Sequence, residues 1–237
     1  PLGSAQNPVR RFWKEVPVVA EDAGWGIALD GRPVRTPQRA PLAVMNLALA
    51  EAIAVEWREQ GETIDPAAMP MTGLANAAID LAFPDPAAFA ETIAAYAATD
   101  LFCYRDNRDA VLQAEQAAAW NPPLAWAESR FGVEFILTQG ILPIDQPPAT
   151  VAALRDAIFA VDPWRMAPLT PLVTIGGSLV AGLALLENAF DADALWEAVS
   201  LDDLYQERRW GADNEAQKAR AIHKRDWDNA ARFLALL

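Results

Sequence analysis

The sequence predicts an α+β fold: a small mixed α/β N-terminal domain with antiparallel strands over residues 5–95, then a mostly α-helical C-terminal domain over 96–237. Three observations carry this prediction. Residues 12–36 are rich in aromatic and β-branched side chains and contain an Asp-Gly turn. From Leu47 onward, apolar residues recur at helical spacing. The 237 residues are 53% hydrophobic and 22% charged, which suits a buried core and argues against disorder.

In chain order, Pro1-Leu-Gly-Ser4 reads as the remnant of a cleaved expression tag and is set aside. Phe12 to Val19 has strand texture, with Pro17 confining it to an edge. A turn over Glu21–Gly24 leads to a strand in which Trp25, Ile27 and Leu29 share one face. Asp30-Gly31 is a tight hairpin turn, and Arg32 to Thr36 returns. Helices are expected over Leu47–Gln60, Thr72–Phe83 and Pro86–Leu101. Another, from Ala110, should stop at the Asn121-Pro-Pro123 break, with a further helix over Leu124–Phe131 before Gly132. Val133–Leu137 reads as one short strand. Helices at about Ala149–Ala160, Leu169–Asn188 and Asp191–Ser200 follow, and then the C-terminal segments.

The C-terminal stretch Leu201–Arg220 reads as two helices broken at Gly211. Arg208 and Arg209 complement the dipole of the first, and Asp213 N-caps the second with Glu215 in its first turn. Such a bend would gather Tyr205, Gln206, Trp210, Asp213 and Glu215. The plainer reading of the same residues is an ordinary corner with a packed tryptophan.

Composition excludes several functions. A net charge of −13 argues against nucleic acid as a general partner. Residues 46–205 carry six Lys/Arg against twenty-three Asp/Glu, whereas the two ends are mildly basic. This distribution suits a basic protein partner, and equally plain solubility. The longest uncharged stretch, Met166–Leu186, is interrupted by Pro168 and Pro171 and reads as a buried core helix, so no membrane insertion is expected. Cys103 is the only cysteine and His223 the only histidine, so neither a disulfide nor the usual zinc site can be assembled. Cys103, between Phe102 and Tyr104, reads as structural, and His223 as a surface residue. No phosphate-binding loop is present. No catalytic residue, cofactor or metal ligand is assigned. The nearest approach to catalytic chemistry is the carboxylates around Glu215, and nine tryptophans favour a binding module instead.

Several stretches together resemble one family. They are Arg11-Phe-Trp13, Leu29 to Gln38, Glu56-Trp-Arg-Glu-Gln60 with Met69-Pro-Met-Thr72, and Thr99 to Arg105. Trp120-Asn-Pro122 with Trp126-Ala-Glu128, and Tyr205 to Gly211 with Glu215, complete the set. In order and spacing, over about residues 10–235, they resemble the ATP-twelve family, the α-subunit-specific assembly chaperones of the F1-ATPase. Asn121 departs from the family pattern, where an acidic residue is expected before the proline. The resemblance implies an α/β N-terminal domain on a helical C-terminal domain, and a non-catalytic role. The implied partner is the unassembled F1 α subunit, whose β-facing surface would be shielded from aggregation. It implies Glu215, Trp210, Gln206 and Tyr205 as partner-binding residues, supported by Asp213 and Arg220. The expected location is a bacterial cytoplasm, with the mitochondrial matrix as alternative. A cofactor-free enzyme using carboxylates near Glu215 is the second reading, and a purely structural module the third.

Overall fold

A computed structural model describes residues 9–140 and 144–237. It opens on a small antiparallel sheet built around one central strand. This strand, β2 (Gly24–Leu29), pairs with β1 (Val18–Glu21), β3 (Arg32–Pro33) and β4 (Ala43–Val44). The turn between β2 and β3 is the one expected: Asp30 (φ 48°) and Gly31 (φ 81°) both adopt the left-handed region that a tight hairpin of this hand needs. Asp30 also accepts the backbone N–H groups of Lys14 and Glu15, which ties the entering chain to the hairpin. Ile27 and Leu29 are buried with Trp25 packed beside them, so the predicted face is the inner one. Gly24 must be glycine, because a Cβ there would lie 2.3 Å from the carbonyl oxygen of Val44.

The strand predicted over Phe12–Val19 begins only at Val18. Trp13 is instead buried, and its indole N–H donates to the Trp57 carbonyl at 3.2 Å. Burial of this one large side chain outweighs the local β preference. β4 follows the loop Pro37–Pro41, where the sequence pattern predicts no separate strand.

Helix α1 (Leu47–Arg58) starts on Asn46, whose side chain accepts from Leu49 N–H and donates to the Leu236 carbonyl near the C-terminus. Helix α2 (Pro70–Ala77), continued by one wide turn to Ala82, has no local cap. Glu56 of α1 supplies it: its carboxylate accepts from Met71 N–H (2.6 Å), Thr72 N–H (2.8 Å) and the Thr72 hydroxyl (2.7 Å). Burial pushes this carboxyl up, while the Thr72 and Met71 bonds pull it down. Glu56→Ala leaves those buried donors without an acceptor. It is expected to destabilise the fold by about 2 kcal/mol in urea unfolding, and a cost under about 0.5 kcal/mol would remove Glu56 as the cap.

Helix α3 (Pro86–Ala94) tightens into a 3-10 turn over Ala95–Ala98, short of the predicted Leu101. A two-stranded parallel ribbon joins β5 (Tyr104–Arg105) to β6 (Thr138–Gln139). The predicted strand over Val133–Leu137 is not formed, the pairing falling just after it. Helix α4 (Ala110–Phe131) corrects the predicted break, running unbroken through Pro122 and Pro123. Trp120, Pro123, Leu124 and Ala127 are all buried, and packing on both sides of the proline pair holds the helix across its missing bonds.

The rest is helical: α5 (Pro148–Phe159), α6 (Pro163–Gly176), α7 (Leu179–Leu186), α8 (Ala192–Val199), α9 (Leu201–Trp210) and α10 (Asn214–Ala235). The single helix predicted over Leu169–Asn188 is two. α6 starts earlier, on an Asp162 cap, and ends at Gly177 in the left-handed region (φ 64°); Ser178 then caps α7. The apolar interior falls into two clusters. One gathers the sheet, α1 and α2 with Phe233 of α10; the other gathers α3 to α8 with Trp227 of α10. The long C-terminal helix therefore reaches both.

Candidate functional site at the α9–α10 corner

The predicted bend is present. Helix α9 ends at Gly211 (φ 93°), with Arg208 and Arg209 in its last turn, and Asp213 accepts the Glu215 N–H at 3.0 Å to start α10. What the bend gathers differs from the expectation. Tyr205 is buried, and its hydroxyl donates to Asp109 at 2.6 Å, with Arg209 donating to the same carboxylate oxygen at 2.9 Å. Asp109 is the N-cap of α4. The Tyr205 hydroxyl, helped by the capped amides and Arg209, holds this carboxyl below its ordinary value, and the same bond raises the Tyr205 phenol. Arg208 pairs with Glu115 of α4 and lies 5.5 Å from the Tyr205 ring centre. One face of α9 is thus pinned to α4.

The opposite face meets α10. The Gln217 amide and Arg220 guanidinium both donate to Glu207, and these bonds hold its carboxyl low. Gln206, Asp213 and Arg220 line a cleft of about 300 Å³ together with Asp203 and His223. Gln206 also borders a second cleft, of about 460 Å³, that holds Arg105, Asp106 and Asp202. Burial raises the Asp202 carboxyl, opposed by the Gln116 amide bonded to it.

Two of the six predicted residues stand apart from both faces. Glu215 is exposed and pairs with Lys218 at 2.9 Å. Trp210 is 79% exposed at the tip, with the Arg209 guanidinium 5.6 Å from its ring centre. The packed-tryptophan reading is therefore wrong: the indole faces outward because Gly211 turns the chain before a second element can cover it. Sequence reasoning missed Asp109, Glu115 and Glu207 as the residues that fix this corner. Asp109 was visible only as a polar residue before a helix; its pairing with Tyr205, 96 residues away, was not.

Most motif residues elsewhere serve the scaffold. Arg11 donates to the carbonyls of Gln60 (2.6 Å) and Arg58 (3.0 Å), and Arg105 bonds Asn121 and lies over Trp120. The Trp120 indole donates to the Ala198 carbonyl at 2.7 Å. Among the large apolar residues of these stretches, Phe12 is the one left outside, at 62% exposure. Among the described residues, no group of three or more His, Cys, Asp or Glu is placed to hold a metal ion.

The antiparallel N-terminal sheet and the helical body after it match a class of chaperones of known structure. The crystal structure of Atp12 from Paracoccus denitrificans matches with a TM-score of 0.90 and 38% identity, over 96% of this chain and 98% of that one. A point mutant of the same organism's Atp12p matches with a TM-score of 0.90 at 37% identity, over 96% and 97%. The mitochondrial protein atp12 of Schizosaccharomyces pombe is 24% identical over 98% of this chain and 83% of its own length. The sequence profile of the family described as ATP12 chaperone protein matches residues 10–128. The chain belongs to the ATP12 chaperone family.

Proposed function

We propose that this chain is an assembly chaperone of the F1 sector of ATP synthase. It binds the unassembled α subunit, covers the surface that the β subunit later buries, and is displaced when β arrives. It needs no cofactor. The observation that carries the reading is the match to Atp12 along essentially the whole chain, which includes the C-terminal corner as well as the N-terminal half. Exposed apolar surface on an unassembled subunit is an aggregation hazard, and a rigid surface with an exposed indole is suited to covering it.

At the corner, Trp210 and Glu215 make direct contacts, Gln206, Asp213 and Arg220 shape the adjoining cleft, and Tyr205 positions α9 through Asp109. The N-terminal and C-terminal units expected at 5–95 and 96–237 act as one body tied through α10, with α3 packed into the C-terminal cluster. The bacterial relatives at 37–38% identity favour a bacterial cytoplasm over the matrix indicated by the yeast relative. Among the described residues, no helix is long and apolar enough to cross a membrane.

The enzymatic alternative finds little geometry. Glu215 is exposed beside Lys218, and Asp213 is consumed as a helix cap. The direct test is co-purification of the chain with an isolated F1 α subunit, combined with light scattering of the α subunit on dilution from denaturant. A stoichiometric complex and suppressed scattering are expected. No complex and unchanged scattering would end the proposal.

A further inference from the structure

We propose that the groove between α4, α8 and α9 is a docking site for a short amphipathic segment of the client, one with apolar anchors flanked by Lys or Arg. The chaperone reading above supplies only the source of that segment. The groove encloses about 560 Å³, distinct from the α9–α10 cleft. Its apolar lining comes from Ala119, Pro122, Pro123, Phe190, Leu201 and Leu204.

Three observations fit such an occupant. Neither Pro122 nor Pro123 has an N–H, so the Ala119 carbonyl loses its donors at both i+3 and i+4. A proline pair inside a helix is unfavourable for the helix itself, and here it faces the groove. Glu197 stands exposed on the lining, while Glu115 and Arg208, both also on the lining, pair with each other. Residues 46–205, which supply most of this surface, carry a large excess of Asp and Glu. With Glu115 and Arg208 paired, the charge the groove offers an occupant is that of Glu197, which favours an apolar segment with basic flanks over an acidic one.

The test titrates the full chain with a synthetic amphipathic Leu/Lys peptide and with its Leu/Glu counterpart, following backbone amide shifts by NMR. The Leu/Lys peptide is expected to shift Ala119, Ala194 and Glu197, and the Leu/Glu peptide to leave them in place. Glu197→Lys should weaken the Leu/Lys peptide about tenfold. Ala194→Trp, at an exposed position that lines the groove, should abolish binding by filling it. Equal binding of both peptides, shifts confined to the Gln206–Arg220 cleft, or full affinity in folded Ala194→Trp would overturn the proposal. Capture of the α subunit is measured in parallel. Capture by wild type with no peptide shifts in the groove removes the groove and keeps the chaperone reading. Peptide shifts in the groove without α-subunit capture keep the groove and remove the α subunit as client.

Discussion

Trp210→Ala is expected to cut capture of the F1 α subunit by tenfold or more while leaving the melting temperature within about 2 °C of wild type. The two halves of this expectation have different origins. The indole is 79% exposed and packs on no second element, only the Arg209 guanidinium lying near its face. Truncation therefore exposes little new surface, and substitutions at such positions usually change stability by about 0.5 kcal/mol or less. Binding is different. An exposed tryptophan on a pinned surface loses little conformational freedom when covered, and central interface tryptophans commonly contribute about 2 kcal/mol or more, some thirtyfold in affinity. The rigidity comes from Tyr205, Arg208 and Arg209 on α4 and from Glu207 on α10. Glu215→Ala should have a smaller effect, because the carboxylate it removes is solvated and already paired with Lys218. Unchanged capture by both variants would move the working surface away from the corner, leaving the groove or the exposed Phe12 as the next place to look.

Local chemistry made much of this architecture legible. The Asp30-Gly31 hairpin could be read because few dipeptides accept two left-handed residues in succession. The start of α10 could be read because Asp213 sits where a side-chain oxygen can accept the first free amides; Asp85, Asp109 and Asp191 cap α3, α4 and α8 in the same way, within a residue of the starts expected from sequence. The bend at Gly211 was visible for a similar local reason. The failures share a cause of the opposite kind. Pro122-Pro123 should stop a helix, and does not, because Trp120 and Leu124 are buried on either side of it. Gly177 divides what periodicity made one helix, because apolar spacing continues across the break.

At the site, sequence could name Tyr205 and Trp210 but could not say that one points inward and the other outward. That distinction depends on where α4 lies, and so on contacts about a hundred residues apart. The recognisable motifs are also a mixed signal. Arg11, Glu56, Asp100 and Trp120 are used inside the fold, whereas Phe12 and Trp210 are left outside it. Only the second kind can touch a partner.

The largest stability effect is expected at Asp100. This carboxylate is fully buried, and it accepts from Val180 N–H at 2.9 Å, Phe102 N–H at 3.0 Å and the Ser178 hydroxyl at 2.9 Å. Ser178 in turn accepts the Ala181 N–H, so one side chain caps the 3-10 turn Leu101–Cys103 and completes the cap of α7. Asp100→Ala leaves all three donors buried without an acceptor and should cost about 3 kcal/mol or more, a large part of the net stability of a domain. Burial pushes the Asp100 carboxyl up to about 6, against the pull of the Val180 and Phe102 amides and the Ser178 hydroxyl. In the folded chain the proton is therefore held more tightly than in the unfolded one. The resulting contribution to stability is complete below the ordinary carboxylate value of 3.8 and is lost as the pH rises through about 6. By linkage it amounts to about 3 kcal/mol. Asp100→Asn does not titrate, so its deficit relative to wild type should be greatest near pH 4 and shrink towards pH 7, as measured by urea unfolding at each pH. A carboxyl-carbon NMR titration reports the same quantity directly. A midpoint near 6 is expected, whereas one at or below 4 would mean that the three donors and the N-terminus of α7 outweigh burial, and the deficit of the Asn variant would then grow towards neutral pH instead.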